Sequence, residues 1–137
     1  MRRIVLAVYL LAITFVSCSL QEADTALTGG VKTLTADRLD KLVEGGAPFI
    51  FLDVRTAREI EQEGTLTNYL HIPIDQLERR IDEVPRGKMI VVGCATGERS
   101  MRGAAILQEH GYQNVFAVGL KEYKAKGYPL IYPKLSG

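Results

Sequence analysis

The chain has 137 residues, enough for one domain and well above the size at which disulfides must substitute for a core. Its 47% apolar and 24% charged residues are globular averages, which argues against a disordered chain or one with several membrane spans. Net charge is +1; without residues 1–17, which hold Arg2 and Arg3 but no acid, 15 basic residues face 16 acidic ones. Nucleic-acid binding needs a concentrated basic field, and this balance excludes it.

Arg2-Arg3 and the apolar stretch Ile4–Val16 read as a targeting leader, since its thirteen residues fall short of the ~20 that cross a bilayer. Phe15-Val16-Ser17-Cys18 resembles the lipobox that ends a bacterial lipoprotein signal peptide. That resemblance implies loss of residues 1–17 and a diacylglycerol on the Cys18 sulfur. It also implies a membrane partner, through a lipid anchor in the cell envelope facing the periplasm. Ser19 after the cysteine resembles the pattern of lipoproteins sorted to the outer membrane, whose inner leaflet is the expected address. Residues 18–30 are polar and small, end in Gly29-Gly30 and show no sustained period, so a flexible tether is expected there.

A single domain is expected over residues 31–132, followed by a tail at 133–137. Thr35 can cap a helix whose Leu39, Leu42 and Val43 share one face and which Gly45-Gly46 stops. Phe49–Leu52 is a continuously apolar strand of the kind covered on both faces. Thr56-Ala57-Arg58-Glu59 is a capping box opening a second helix that ends near Gly64. Tyr69–Ile72 is a brief strand closed by Pro73, and Asp75 is expected to cap a third helix containing Leu77 and Ile81. Met89–Val92 is a β-branched strand, followed by a helix from about Ser100 to His110, a strand at Val115–Val118 and a last helix at Gly119–Lys126. This alternation predicts an α/β domain with a mainly parallel sheet, in which sites lie beyond the carboxyl ends of strands.

Cys94 falls at such a strand end. With Cys18 lipidated it has no partner in the chain, and an unpaired cysteine in an exported protein is unusual. Its loop, Cys94-Ala95-Thr96-Gly97-Glu98-Arg99-Ser100, leads straight into a helix. Gly97 permits the positive φ that such a curl requires, so backbone N–H groups are expected to converge as an anion-binding nest backed by the helix start. Arg99 would add a permanent positive charge. A sulfur at the mouth of that nest is favoured as the anion, whether thiolate or persulfide.

Together these segments resemble the rhodanese family. Leu52-Asp53-Val54-Arg55 is similar to its strand-end signature, Cys94 to Ser100 to its C-x-x-G-x-R-S active loop, and Gly127-Tyr128-Pro129 to its closing motif. The resemblance implies an approximately five-stranded, mainly parallel sheet flanked by helices on both faces. It also implies sulfurtransferase activity through a Cys94 persulfide, with no cofactor beyond that covalent intermediate. Cys94 and Arg99 are then the expected catalytic residues, and Ala95, Thr96, Gly97, Glu98 and Ser100 the substrate-binding loop. The expected donor is thiosulfate or a similar small molecule, and the acceptor a thiol, possibly on a protein, or cyanide. Glu98 would oppose a dianionic donor unless it points to solvent, so a persulfide or redox carrier that docks on a partner is the alternative. Tyrosine-phosphatase-like loops are one residue longer than the four between Cys94 and Arg99, which counts against a tetrahedral oxyanion substrate. Asp53 and Arg55 are read as a structural brace near the site. His71 and His110, isolated and without a third ligand, make no metal site.

Overall fold

A computed structural model describes residues 25–28 and 30–135. The leader read at 1–17, Cys18 and most of the expected tether lie outside the described residues. Six strands form one sheet in the order β1-β2-β6-β5-β3-β4. The five strands β2 (Val31–Leu34), β3 (Phe49–Asp53), β4 (Tyr69–His71), β5 (Met89–Cys94) and β6 (Val115–Gly119) run parallel. β1 (Thr25–Thr28) pairs antiparallel with β2 at the edge, Thr28 opposite Val31. The expected tether is therefore corrected at its end, where residues 25–28 are strand. Gly30, just before β2, takes φ 84°, a conformation glycine adopts at no steric cost.

Helices α1 (Ala36–Glu44), α2 (Ala57–Glu63), α3 (Glu98–Glu109) and α4 (Leu120–Ala125) connect the strands. Thr35 caps α1 through the Arg38 N–H, and Thr56 with Glu59 forms the full capping box of α2, as the sequence predicts. The third expected helix is different. Glu78–Glu83 is a 3-10 helix with a kink at Arg80, and no side chain caps it. Its end is met from outside: the Tyr112 hydroxyl, with one proton to give, lies 2.7 Å from Val84 O and 3.0 Å from Ile81 O, and Pro85 follows at once. The segment is thus shaped by what it packs on, which local spacing does not record.

The two sheet faces bury separate apolar layers. Ile90, Val92 and Cys94 pack with Leu77, Ala104 and Leu107 on the α3 side. Val91 and Phe51 pack with Leu39, Leu120 and Tyr123 on the α1 and α4 side. Alternation along β5 therefore assigns Cys94 to the α3 face, under the start of that helix. Tyr123, fully buried, donates its hydroxyl to Asp40 Oδ1 at 3.1 Å, and burial pushes its phenol up.

Candidate active site

The central strand β5 delivers Cys94 to the carboxyl edge of the sheet, paired with Gly119 of β6, while Gly93 pairs with Asp53 of β3. Gly93 has a steric reason to be glycine, because a Cβ there would run into the Phe51 ring. Beyond Cys94 the chain turns through Gly97 at φ 104°, a left-handed conformation, and enters α3. The Gly97 N–H donates to Cys94 Sγ at 3.1 Å. Ser100 Oγ lies 3.6 Å from the same sulfur, 2.7 Å from Gly97 O and 3.0 Å from Val118 O. Its one proton serves one of these acceptors at a time. Cys94 is 1% exposed, so the sulfur sits beneath the loop. Of the loop's N–H groups it is Gly97's that is bonded to it, a narrower cradle than a ring of converging donors.

α4 and β6 hold the loop from the other side. Lys121 N–H donates to Ala95 O at 2.9 Å. A Cβ on Gly119 would stand 2.9 Å from Thr96 C and 3.0 Å from Thr96 O, so the loop packs directly on the β6 backbone.

Arg99 has a different place from the one its position in the motif predicts. Its guanidinium makes a two-point pair with Glu59, Nη1 to Oε2 at 2.9 Å and Nη2 to Oε1 at 2.6 Å. Glu59 Oε2 also accepts from the Thr56 N–H and hydroxyl. Arg99 and these Thr56 groups hold the Glu59 carboxyl at about 2. Arg99 thereby ties the first turn of α3 to the first turn of α2, with both side chains about one-third exposed. The sequence explains Glu59 completely as a capping residue. Nothing in it signals a bond to Arg99 forty positions away.

Asp53 and Arg55 form the expected brace, and both are buried. Asp53 Oδ1 accepts from Arg55 N (3.1 Å) and Nε (3.0 Å), and Oδ2 from Arg55 Nη2 (2.7 Å) and Thr65 Oγ1 (2.8 Å). Nη2 also donates to Gly64 O at 2.7 Å, and His71 Nε2 is 2.8 Å from Arg55 O. The network joins the ends of β3, β4 and α2 beside Gly93, so it stiffens the floor under Cys94. His110, on the far side of α3, is exposed and bonds through Nδ1 to Ile106 O. Among the described residues no cluster of three His, Cys, Asp or Glu side chains is placed to hold a metal.

Two pockets meet at Ala95. The larger, about 560 Å³, is bounded by Leu34, Gly97, Glu98, Met101, Val118 and Lys121 among others. The smaller, about 280 Å³, lies between α2 and α4 and is bounded by Arg55, Glu59, Glu63, Leu120, Lys121 and Lys124. Exposed Glu98 therefore stands on the rim of the larger pocket, as does exposed Thr96.

The fold is thus a parallel α/β sheet whose central strand ends in a cysteine cradled by a short loop and a helix start. The rhodanese-like domain family model matches residues 35–126, and the chain belongs to that family. It is 26% identical over 106 residues to a sulfurtransferase of Allochromatium vinosum, covering 76% of this chain and 98% of that protein. Among solved structures it is similar to a rhodanese-related protein from Thermoplasma volcanium, with 28% identity and a TM-score of 0.66. That match covers 74% of this chain and 98% of the other. The rhodanese-like domain of an Anabaena protein is similar at 27% identity and a TM-score of 0.66, covering 76% and 81% of the two chains.

Proposed function

We propose that the chain is a sulfurtransferase that moves a sulfane sulfur from thiosulfate, or a similar donor, to a thiol or cyanide through a persulfide on Cys94. The carrying observation is Cys94 Sγ at the end of the central strand, 3.1 Å from the Gly97 N–H. Membership of the rhodanese-like family and similarity to a protein named a sulfurtransferase support the same reading. In the first half-reaction the Cys94 thiolate attacks the outer sulfur of thiosulfate. The S–S bond of the donor breaks, and its electron pair leaves on sulfite. In the second, cyanide or a thiolate attacks the outer sulfur of the persulfide. The electron pair returns to Cys94, releasing thiocyanate or a new persulfide. Negative charge stays on sulfur throughout, which suits a backbone N–H and the start of α3 and needs no general base. Arg99 acts through Glu59 as a positioning residue that keeps the loop closed.

The leader and Cys18 support an address on the periplasmic side of the cell envelope, held by lipid. Among the described residues no helix is long and apolar enough to cross a membrane. A second reading, a persulfide carrier that docks on a partner protein, is favoured by Glu98 on the pocket rim, which repels small dianions. Intact mass after thiosulfate exposure tests the chemistry. A gain of one sulfur, lost on adding cyanide and absent from Cys94→Ser, is the expected result; no gain from any sulfane donor refutes it. Loading without thiosulfate–cyanide turnover selects the carrier.

A further inference from the structure

We infer that Lys121 is the residue that selects the donor by charge. Its ammonium receives the anionic end, remote from the transferred sulfur, of a small donor such as thiosulfate entering between α2 and α4. The inference rests on the sulfur-transfer reading and adds to it the entry side and the class of donor.

Position comes first. The Lys121 N–H is bonded to Ala95 O at 2.9 Å, one residue from the nucleophile, so the start of its side chain is fixed against the active loop. That side chain is exposed and borders both pockets that meet at Ala95. A flexible four-carbon stem lets the ammonium follow a ligand into either.

Charge selects it from its neighbours. The loop residues Ala95, Thr96, Gly97 and Glu98 supply no cation before Arg99. Arg99 is paired with Glu59, Arg55 with Asp53, and Lys124 with Glu63 at 2.8 Å. Among the described residues Lys121 is the cation around these pockets that makes no salt bridge, and it acts through space on Glu63, which Lys124 already holds. A cation already in a salt bridge offers an incoming anion little net field, whereas one outside any salt bridge offers more of its charge.

The two pockets also differ in sign. On the larger, Lys121 faces Glu98 and Glu122. On the smaller, Arg55, Lys121 and Lys124 face Glu59 and Glu63, leaving one positive charge in excess. A dianion is therefore drawn to the α2–α4 side and turned away from the Glu98 side. Removing Lys121 abolishes that attraction at the smaller pocket, because its remaining charges cancel.

Steady-state kinetics with thiosulfate and with methanethiosulfonate test this, since the two carry the same outer sulfur on a dianion and a monoanion. Lys121→Gln is expected to raise KM for thiosulfate roughly five- to tenfold with kcat within about twofold, the pattern of lost binding to an exposed charge. The rise for methanethiosulfonate is smaller, and Lys121→Arg restores both. Added salt should raise the wild-type KM for thiosulfate and leave that of Lys121→Gln nearly constant. An unchanged KM, or equal rises for both donors, overturns the inference. Calorimetric binding of thiosulfate to Cys94→Ser, with and without Lys121→Gln, separates the two levels. Saturable binding that needs Lys121, in a protein whose wild type forms no persulfide, sinks the sulfur-transfer reading and keeps the anion site. No Lys121-dependent binding in Cys94→Ser removes the site.

Discussion

Asp53→Asn isolates the brace under the active loop. Asp53 receives four hydrogen bonds, three from Arg55 and one from the Thr65 hydroxyl, and it is fully buried. An asparagine is nearly the same size and keeps one oxygen, which can continue to accept from Arg55 N and Nε. Its amide nitrogen then replaces Oδ2. The Thr65 hydroxyl can reverse its role and accept, but Arg55 Nη2 cannot, so two donors face each other at 2.7 Å. The larger loss is charge. Arg55 is 1% exposed, so the substitution leaves a buried guanidinium without its counter-ion, and Gly64 O is the acceptor left to Nη2. Breaking a buried ion pair from one side costs about 3–5 kcal/mol, and the retained hydrogen bonds place this substitution at the lower end. With a urea m-value of about 1.5 kcal/mol per molar, the unfolding midpoint falls by roughly 2 M. Adding Arg55→Met to Asp53→Asn removes the stranded charge and should recover a large part of the loss. A midpoint within about 0.5 M of wild type for Asp53→Asn would mean that the charge is satisfied elsewhere, and the brace argument would fail.

Cys94→Ser should retain the wild-type fold by circular dichroism and lose all persulfide formation, since it changes one atom held by the Gly97 N–H; residual transfer would remove Cys94 as the sulfur carrier. Arg99→Ala should cost no more than about 1 kcal/mol at neutral pH, because its pair with Glu59 is one-third exposed. Its signature is in acid. Glu59 titrates at about 2 in the fold against 4.5 when free, so the pair's stabilisation is whole above 4.5 and fades as pH falls toward 2. Urea unfolding at pH 7 and pH 3 should therefore show a smaller acid loss in Arg99→Ala; equal losses would disprove the coupling. Gly119→Ala should shift the loop, because the new Cβ meets Thr96 backbone at 2.9 Å. About 1–3 kcal/mol of destabilisation and a clear fall in turnover are expected, and wild-type turnover would show that the loop yields freely.

Strands β3 to β6 and the four α-helices were readable because each is set by near neighbours. The capping box at Thr56, the apolar run at Phe49 and the glycine stops at Gly45 and Gly64 act within a turn or two of themselves. The 3-10 segment at Glu78–Glu83 escaped because the Tyr112 hydroxyl, twenty-eight or more positions later, meets its end. β1 escaped because a four-residue strand of mixed composition is stabilised by its partner β2 rather than by its own pattern.

The site divides along the same line. Cys94, Gly97 and Ser100 are close in sequence, and a strand end, a positive φ and a helix start bring them together. The Asp53–Arg55 pair is two residues apart and was equally legible. The direction of Arg99 was not: residue type announces its charge, but the partner that takes that charge lies on another helix. The same holds for Lys121, whose cation is plain in the sequence while its lack of a salt bridge is a property of α2 and α4 packed together. By itself the sequence determined the parallel α/β architecture and the loop that begins at Cys94, because hydrophobic period, capping and turn chemistry are local. Only the tertiary structure decided which charges are neutralised and which face the pockets, because electrostatic pairing acts through space between groups the chain keeps far apart.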